Sequence, residues 1–168
     1  ACTVQKPSFR GKELRIVHLS DLHLGSVNDL KAMKRIAKQV NTLGADLIVI
    51  TGDTFTESLH DVFELEEITA LFRGLPNRLG VYACLGHPDS GKEFSDMLSF
   101  FQNAHIDVLE DRYLALENLI LLGRTDMTPG GNMHHERPSI DDCLRGADVS
   151  ETLTIVMDHQ PGDILATE

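Results

Sequence analysis

Leu47-Ile48-Val49-Ile50 is the segment that most narrows what this chain can become, because four consecutive branched apolar residues leave neither face of a strand for water. Such a run belongs inside a parallel sheet covered on both sides, and its brevity argues against a helix. The same grammar recurs along the chain. Leu14 to Leu19 reads as an earlier strand and Gly80 to Leu85 as a later one. Between them, Leu30, Met33, Ile36, Ala37, Val40 and Leu43 recur at helical spacing over Asn28–Leu43, and Gly44 stops that helix. Leu59 to Phe72 reads as a second helix, ended by Gly74 and Pro76, and Lys92 to Ala104 as a third.

Beyond that point the rhythm changes. Tyr113–Leu116 and Leu119–Leu122, separated by Glu117-Asn118, read as a hairpin. A polar loop over Thr125–Pro138, a short helix near Ile140–Leu144 and a buried strand over Leu153–Met157 follow. Alternating strands and helices imply a mostly parallel sheet with right-handed crossovers, here joined to an antiparallel portion. In such sheets ligands gather beyond the carboxyl ends of the strands.

Those strand ends carry the chemistry. The first strand runs into Ser20-Asp21-Leu22-His23, the second into Thr51-Gly52-Asp53, the third into Gly86-His87-Pro88-Asp89, and the last into Asp158-His159-Gln160-Pro161. Carboxylate oxygens and imidazole nitrogens in one pocket suit zinc, manganese or iron better than thiolate-preferring metals. In an extended Asp-x-His step both side chains can turn to one side, and Gly52 lets the backbone bend sharply ahead of Asp53. Each piece also has a plainer reading. Asp-x-His occurs often by chance, Gly-Asp after a strand is ordinary turn chemistry, and His18 inside the first strand reads as packed rather than ligating. What shifts the balance is co-location, since chance rarely sets such residues at four ends of one sheet edge.

The segment Ile16-Val17-His18-Leu19-Ser20-Asp21-Leu22-His23-Leu24-Gly25 resembles the first signature of the calcineurin-like metallophosphoesterases. Leu47–Asp53 is similar to their second signature, and Val81–Gly86 leads, as in that family, toward a Gly-Asn-His-Asp motif. Val156–Pro161 resembles the fourth. The order and spacing of the blocks cover nearly the whole chain. The resemblance implies an α/β fold, a mixed β-sandwich flanked by helices (αββα), with residues 1–168 forming one domain whose C-terminal part is missing. It implies two divalent ions (Mn, Fe, Zn or Ni), with Asp21 and His23 on the first, Asp53 bridging, and His159 on the second. It further implies hydrolysis of a phosphomonoester, phosphodiester or pyrophosphate bond in a phosphorylated small molecule or a lipid-linked phosphate. Phe9-Arg10-Gly11 looks like the bacterial branch that often follows a membrane anchor, so the expected location is cytoplasmic or membrane-associated, the latter through a segment not present here.

Composition narrows the alternatives. A formal charge of −11 argues against a groove for nucleic-acid backbone, which needs clustered Lys and Arg, so no nucleic-acid partner is expected. An acidic pocket still admits phosphate when divalent cations reverse its field. Three cysteines without CxxC spacing imply neither a disulfide framework nor a thiolate zinc site, and point to a reducing compartment. No apolar run reaches the length of roughly 18 residues that spans a bilayer. The first residue is Ala, which leaves room for a removed leader. His134-His135 reads as an inert loop pair, and Arg124, just past the hairpin, as a candidate contact for a substrate phosphate. A phospho-acceptor receiver domain also collects aspartates at strand ends, but it needs a Lys after the last strand, and none follows Met157.

Two departures from the family pattern matter. His87 stands where the family has its metal-binding Asn, which makes it the candidate catalytic and metal residue of that block. Pro88 stands where the family has the His that protonates the leaving group, and proline does no acid chemistry. The closing Gly-His-x-His pair does not occur before Glu168. A non-catalytic binding module with a degraded metal site is the competing reading. The expectation is instead that residues are missing after Gly86 and after Glu168; an intact mass of the natural protein equal to the 18.6 kDa of this chain would reject it.

Overall fold

A computed structural model describes residues 6–25, 28–56, 58–86, 94–126 and 137–161. Four strands form a parallel sheet in chain order: β1 (Ile16–Leu19), β2 (Leu47–Thr51), β3 (Val81–Cys84) and the two-residue β4 (Asp107–Val108). Helices α1 (Leu30–Leu43), α2 (Leu65–Arg73) and α3 (Phe94–Asn103) connect them. A second, three-stranded sheet holds β5 (Arg112–Leu116), β6 (Leu119–Gly123) and β7 (Leu153–Met157). Within it β5 and β6 are the antiparallel hairpin, while β7 returns parallel to β6 past the short helix α4 (Ile140–Cys143). The mixed α/β architecture expected from the sequence is therefore present, with its helices flanking the parallel sheet.

The alternation along β2 and β3 explains the layering. Ile48, Ile50, Val81 and Ala83 join a core with Met33 and Val40 of α1, Ile68 and Phe72 of α2, and Phe100 and Phe101 of α3. Leu47, Val49, Tyr82 and Cys84 point the other way, into a second core with Leu119, Leu121 and Met157 of the other sheet. All five residues of β2 are buried, because each of its faces belongs to a different core.

Local chemistry sets the helix ends. The Asp29 side chain accepts from the Ala32 amide at the start of α1, and Gly44 takes the left-handed conformation (φ 61°) that closes it. The second helix is shorter than its apolar spacing suggests. Leu59–Asp61 form a 3-10 turn, Val62 is extended, and Glu64 sits at φ 61°, so the α-helix begins only at Leu65. The last strand is also less covered than expected, with Val156 exposed on its outer side. Among the described residues no helix is long and apolar enough to cross a membrane.

Phe100 ties the helices to the chain beyond β2. Its ring meets Phe55, Phe72 and Phe101 edge-on at centroid distances of 4.8, 5.7 and 5.4 Å. Replacing it removes three aromatic contacts at once and leaves a cavity. Phe100→Ala is expected to cost about 3–5 kcal/mol in denaturant unfolding.

Candidate metal centre

Beyond the carboxyl ends of β1 and β2 the two chains continue side by side. The amides of Asp21, His23 and Leu24 donate to the carbonyls of Gly52, Asp53 and Thr54 at 3.2, 3.0 and 2.9 Å. This stitching holds the two loops together after the sheet has ended. It also departs from the extended Asp-x-His step expected from the sequence. Asp21, His23 and Asp53 all lie in the left-handed region, at φ 52°, 44° and 51°. A residue other than glycine held there costs about 1–3 kcal/mol. Between them Leu22 turns into the core, which leaves Asp21 and His23 to face outward.

Three segments converge on one spot. The ligand-type atoms of Asp21, Asp53 and His159 all lie within 4.8 Å of one another. Asp53 is central: His159 Nε2 lies 3.3 Å from its Oδ1, and His23 Nε2 lies 3.9 Å from its Oδ2. His23 Nε2 is also 3.9 Å from Asp21 Oδ1. The spot is graded in exposure, from Asp21 at 57% of its side chain to Asp53 at 17% and His159 at 9%. Of the other candidate, His87, nothing can be placed, since it lies outside the described residues, as do His134 and His135.

His159 is oriented by a residue that sequence reasoning passed over. Its Nδ1 is 2.9 Å from the Thr51 carbonyl, an acceptor, so that nitrogen carries the proton and Nε2 presents a lone pair toward Asp53. Ser20 Oγ lies against the Asp21 carboxylate and 3.0 Å from the same carbonyl. The packing is tight enough to exclude side chains. A Cβ on Gly52 would sit 2.5 Å from His159 Nδ1, and one on Gly86 would sit 2.3 Å from Asp53 Oδ1. Gly52, at φ 73°, thus serves both the turn and the close approach.

The residues fit a cation. Two ligand atoms on one ion, each about 2.1 Å from it, stand about 3–3.5 Å apart, the scale of the Asp53–His159 contact. Among the described residues Asp53 Oδ1 is buried with no hydrogen-bond partner and faces the His159 Nε2 lone pair at 3.3 Å, an arrangement that a shared cation would satisfy.

Two expectations are corrected here. His18 is exposed rather than packed, with Nε2 2.6 Å from Thr51 Oγ1, because β1 is an edge strand. Arg124 does not stand in the open where a phosphate would meet it. It is 1% exposed, with Nη2 donating to the Pro138 carbonyl at 2.9 Å and Nη1 3.4 Å from Asp158 Oδ2.

The chain belongs to the calcineurin-like phosphoesterase family, whose sequence model matches residues 14–165. It is 27% identical over 153 residues to an uncharacterized metallophosphoesterase of Helicobacter pylori strain 26695, covering 91% of this chain and 40% of that protein. It is 24% identical over 154 residues to one from Aquifex aeolicus, covering 90% of this chain and 57% of the relative. A stretch of 76 residues, 45% of the chain, is 36% identical to UDP-2,3-diacylglucosamine pyrophosphatase LpxG of Chlamydia muridarum, covering 22% of it. The chain thus spans about half or less of the length of these relatives. The family is metal-dependent, and the Asp21–Asp53–His159 cluster is a candidate place for the metal.

Electrostatics bears on His159 even without metal. Burial pushes its imidazole down, but the Thr51 carbonyl and the charges of Asp53, Asp126 and Asp21 outweigh burial and hold it above the usual histidine value. A raised folded value contributes stability that is full below the unfolded value and is lost as pH rises through the folded one. In chelator-treated protein, His159→Gln is therefore expected to lower the Tm more at about pH 5 than at about pH 9. Equal losses at both would show that the neighbouring carboxylates do not act on this ring.

Proposed function

We propose that this chain carries the metal-binding part of a phosphohydrolase that cleaves a phosphomonoester, phosphodiester or pyrophosphate bond at a dinuclear divalent centre. The observation that carries the reading is the split of one carboxylate between two imidazoles: Asp53 turns Oδ1 to His159 and Oδ2 to His23. A carboxylate placed in this way is suited to be shared by two cations, with Asp21 and His23 serving one and His159 the other. Manganese, iron, zinc and nickel all accept this mixture of oxygen and nitrogen ligands.

Two bound cations would clamp phosphoryl oxygens, lower the pKa of a bound water and neutralise charge on the attacking and leaving oxygens. The chain's own residues do the rest. Thr51 fixes the His159 tautomer through its carbonyl, and Ser20 steadies the exposed Asp21 carboxylate. Gly52 leaves room for the His159 imidazole and Gly86 for the Asp53 carboxylate. Asp21, the most exposed member, would be the first of them to meet an entering substrate phosphate. The partial likeness to LpxG favours a pyrophosphate bond in a lipid-linked phosphate among the substrate classes, and membrane association through a segment outside these residues would go with it.

The test uses the natural full-length protein, chelated and then reloaded with Mn²⁺, against a chromogenic phosphodiester and a nucleoside-diphosphate sugar. Activity should vanish with the metal, return with it, and fall at least about 100-fold in Asp53→Asn, whose amide cannot bridge two cations. Elemental analysis should show two ions per chain, falling in the variant. Metal uptake without turnover of any phosphate ester would favour the competing reading, a binding module, which the altered Gly86-His87-Pro88-Asp89 block supports.

A further inference from the structure

The segment that delivers His159 is held by a buried ionic cluster that the proposed chemistry does not itself use. Asp158, the residue before it, is 8% exposed and meets two guanidinium groups through the same Oδ2. Arg124 approaches from the end of β6, 3.4 Å away, and Arg137 approaches from the stretch ahead of α4 in a short contact. Arg124 is 1% exposed and Arg137 9%. Arg124 also acts through its backbone, since its amide donates to the Met157 carbonyl at 3.0 Å, one residue past the last β6–β7 register pair. Its Nη2 meanwhile donates to the Pro138 carbonyl, joining the segment that carries Arg137.

We propose that Arg124 and Arg137 are positioning residues for His159, acting through Asp158. Successive side chains of a chain leaving a strand point to opposite sides. Fixing Asp158 toward the two arginines therefore turns His159 the other way, onto the Thr51 carbonyl and Asp53. The clamp is bidirectional: Arg124 grips the residue before and the residue after the Met157–Asp158 peptide, and Arg137 grips Asp158 from a different segment. Such a device matters most for His159, because it alone among the gathered residues comes from the second sheet. Asp21, His23 and Asp53 are stitched to one another by backbone bonds, whereas His159 has to be carried to them from across the second core. The clamp's effect on metal affinity rests on the metal-centre reading; its effect on the imidazole does not.

Arg124→Lys keeps the charge but loses the fork that holds Asp158 and the Pro138 carbonyl together. Arg137→Lys keeps the charge but draws the terminal nitrogen one bond back from Asp158. The experiment therefore compares wild type with Arg124→Lys and Arg137→Lys, each shown to be folded by circular dichroism. In ¹⁵N-histidine-labelled, metal-free protein, at a pH above which the His159 signal no longer changes, wild-type His159 should report a fixed Nδ1–H tautomer. The signal is assigned by its absence in His159→Gln. In both Lys variants it should move toward the average of the two tautomers, and Mn²⁺ affinity by calorimetry should fall about 10–100-fold, the range for outer-shell supports of a metal site. Folded variants with the wild-type imidazole signal and wild-type affinity would overturn the proposal, leaving the cluster a structural role alone. Should Arg124→Lys fail to fold, Arg137→Lys decides by the same two readouts. A wild-type protein that takes up no Mn²⁺ defeats the metal-centre reading, while the imidazole signal still decides whether the clamp positions His159.

Discussion

Thr51 is the last residue of a strand whose two faces serve different cores, and its carbonyl is where the His159 imidazole docks. That bond joins the first sheet to the segment leaving the second at the place where the candidate ligands meet. The geometry works only because β2 is immobilised along its whole length. Its neighbours β1 and β3 bind it on either edge, and both of its faces are packed. Beyond its end the hydrogen bonds continue, from Asp21 to Gly52 and from His23 to Asp53, so the loops inherit the rigidity of the strands. The site is an extension of the sheet edge rather than a set of free loops.

This rigidity explains how the chain tolerates the conformations it adopts there. Three of the residues in question are left-handed without being glycine, and the two carboxylates among them face one another across a gap of a few ångströms. Strain and like charge both oppose that arrangement. The backbone bonds and the buried aromatic wedge of Phe55 on Phe100, just past Asp53, supply the opposing force. A cation would relieve the charge part and leave the strain part in place.

Much of this could be read from residues alone, and the failures are instructive. The four apolar residues of β2 announced a strand buried on both faces, and Gly44 announced the end of α1. The Asp21, Asp53 and His159 cluster followed from the rule that strand ends converge, which depends on topology rather than on any residue's preference. What could not be read was local conformation. Apolar spacing from Leu59 to Phe72 looked continuous, yet Glu64 takes a left-handed turn that periodicity does not register. Asp21 and His23 converge through left-handed backbone, not through an extended step, because the partner supplying their hydrogen bonds is a loop about thirty residues away in sequence. His18 followed the hydrophobic pattern of β1 but lies exposed on an edge strand, and edge position is a property of the assembled sheet.

Arg124 shows the same limit from the side of energetics. An arginine just past a strand end near a phosphate-type site invites the inference that it meets substrate, because arginine is costly to bury. Here that cost is offset by Asp158 and by the Pro138 carbonyl. Removing Asp158 would take a carboxylate away from two buried guanidinium groups and so destabilise the fold. A well-packed apolar group of similar volume could fill the same space at no greater cost to stability. It could not, however, dictate which way one particular side chain on the next residue faces. An ionic cluster has direction and a hydrophobic one does not, and direction is what a ligand delivered from the second sheet requires.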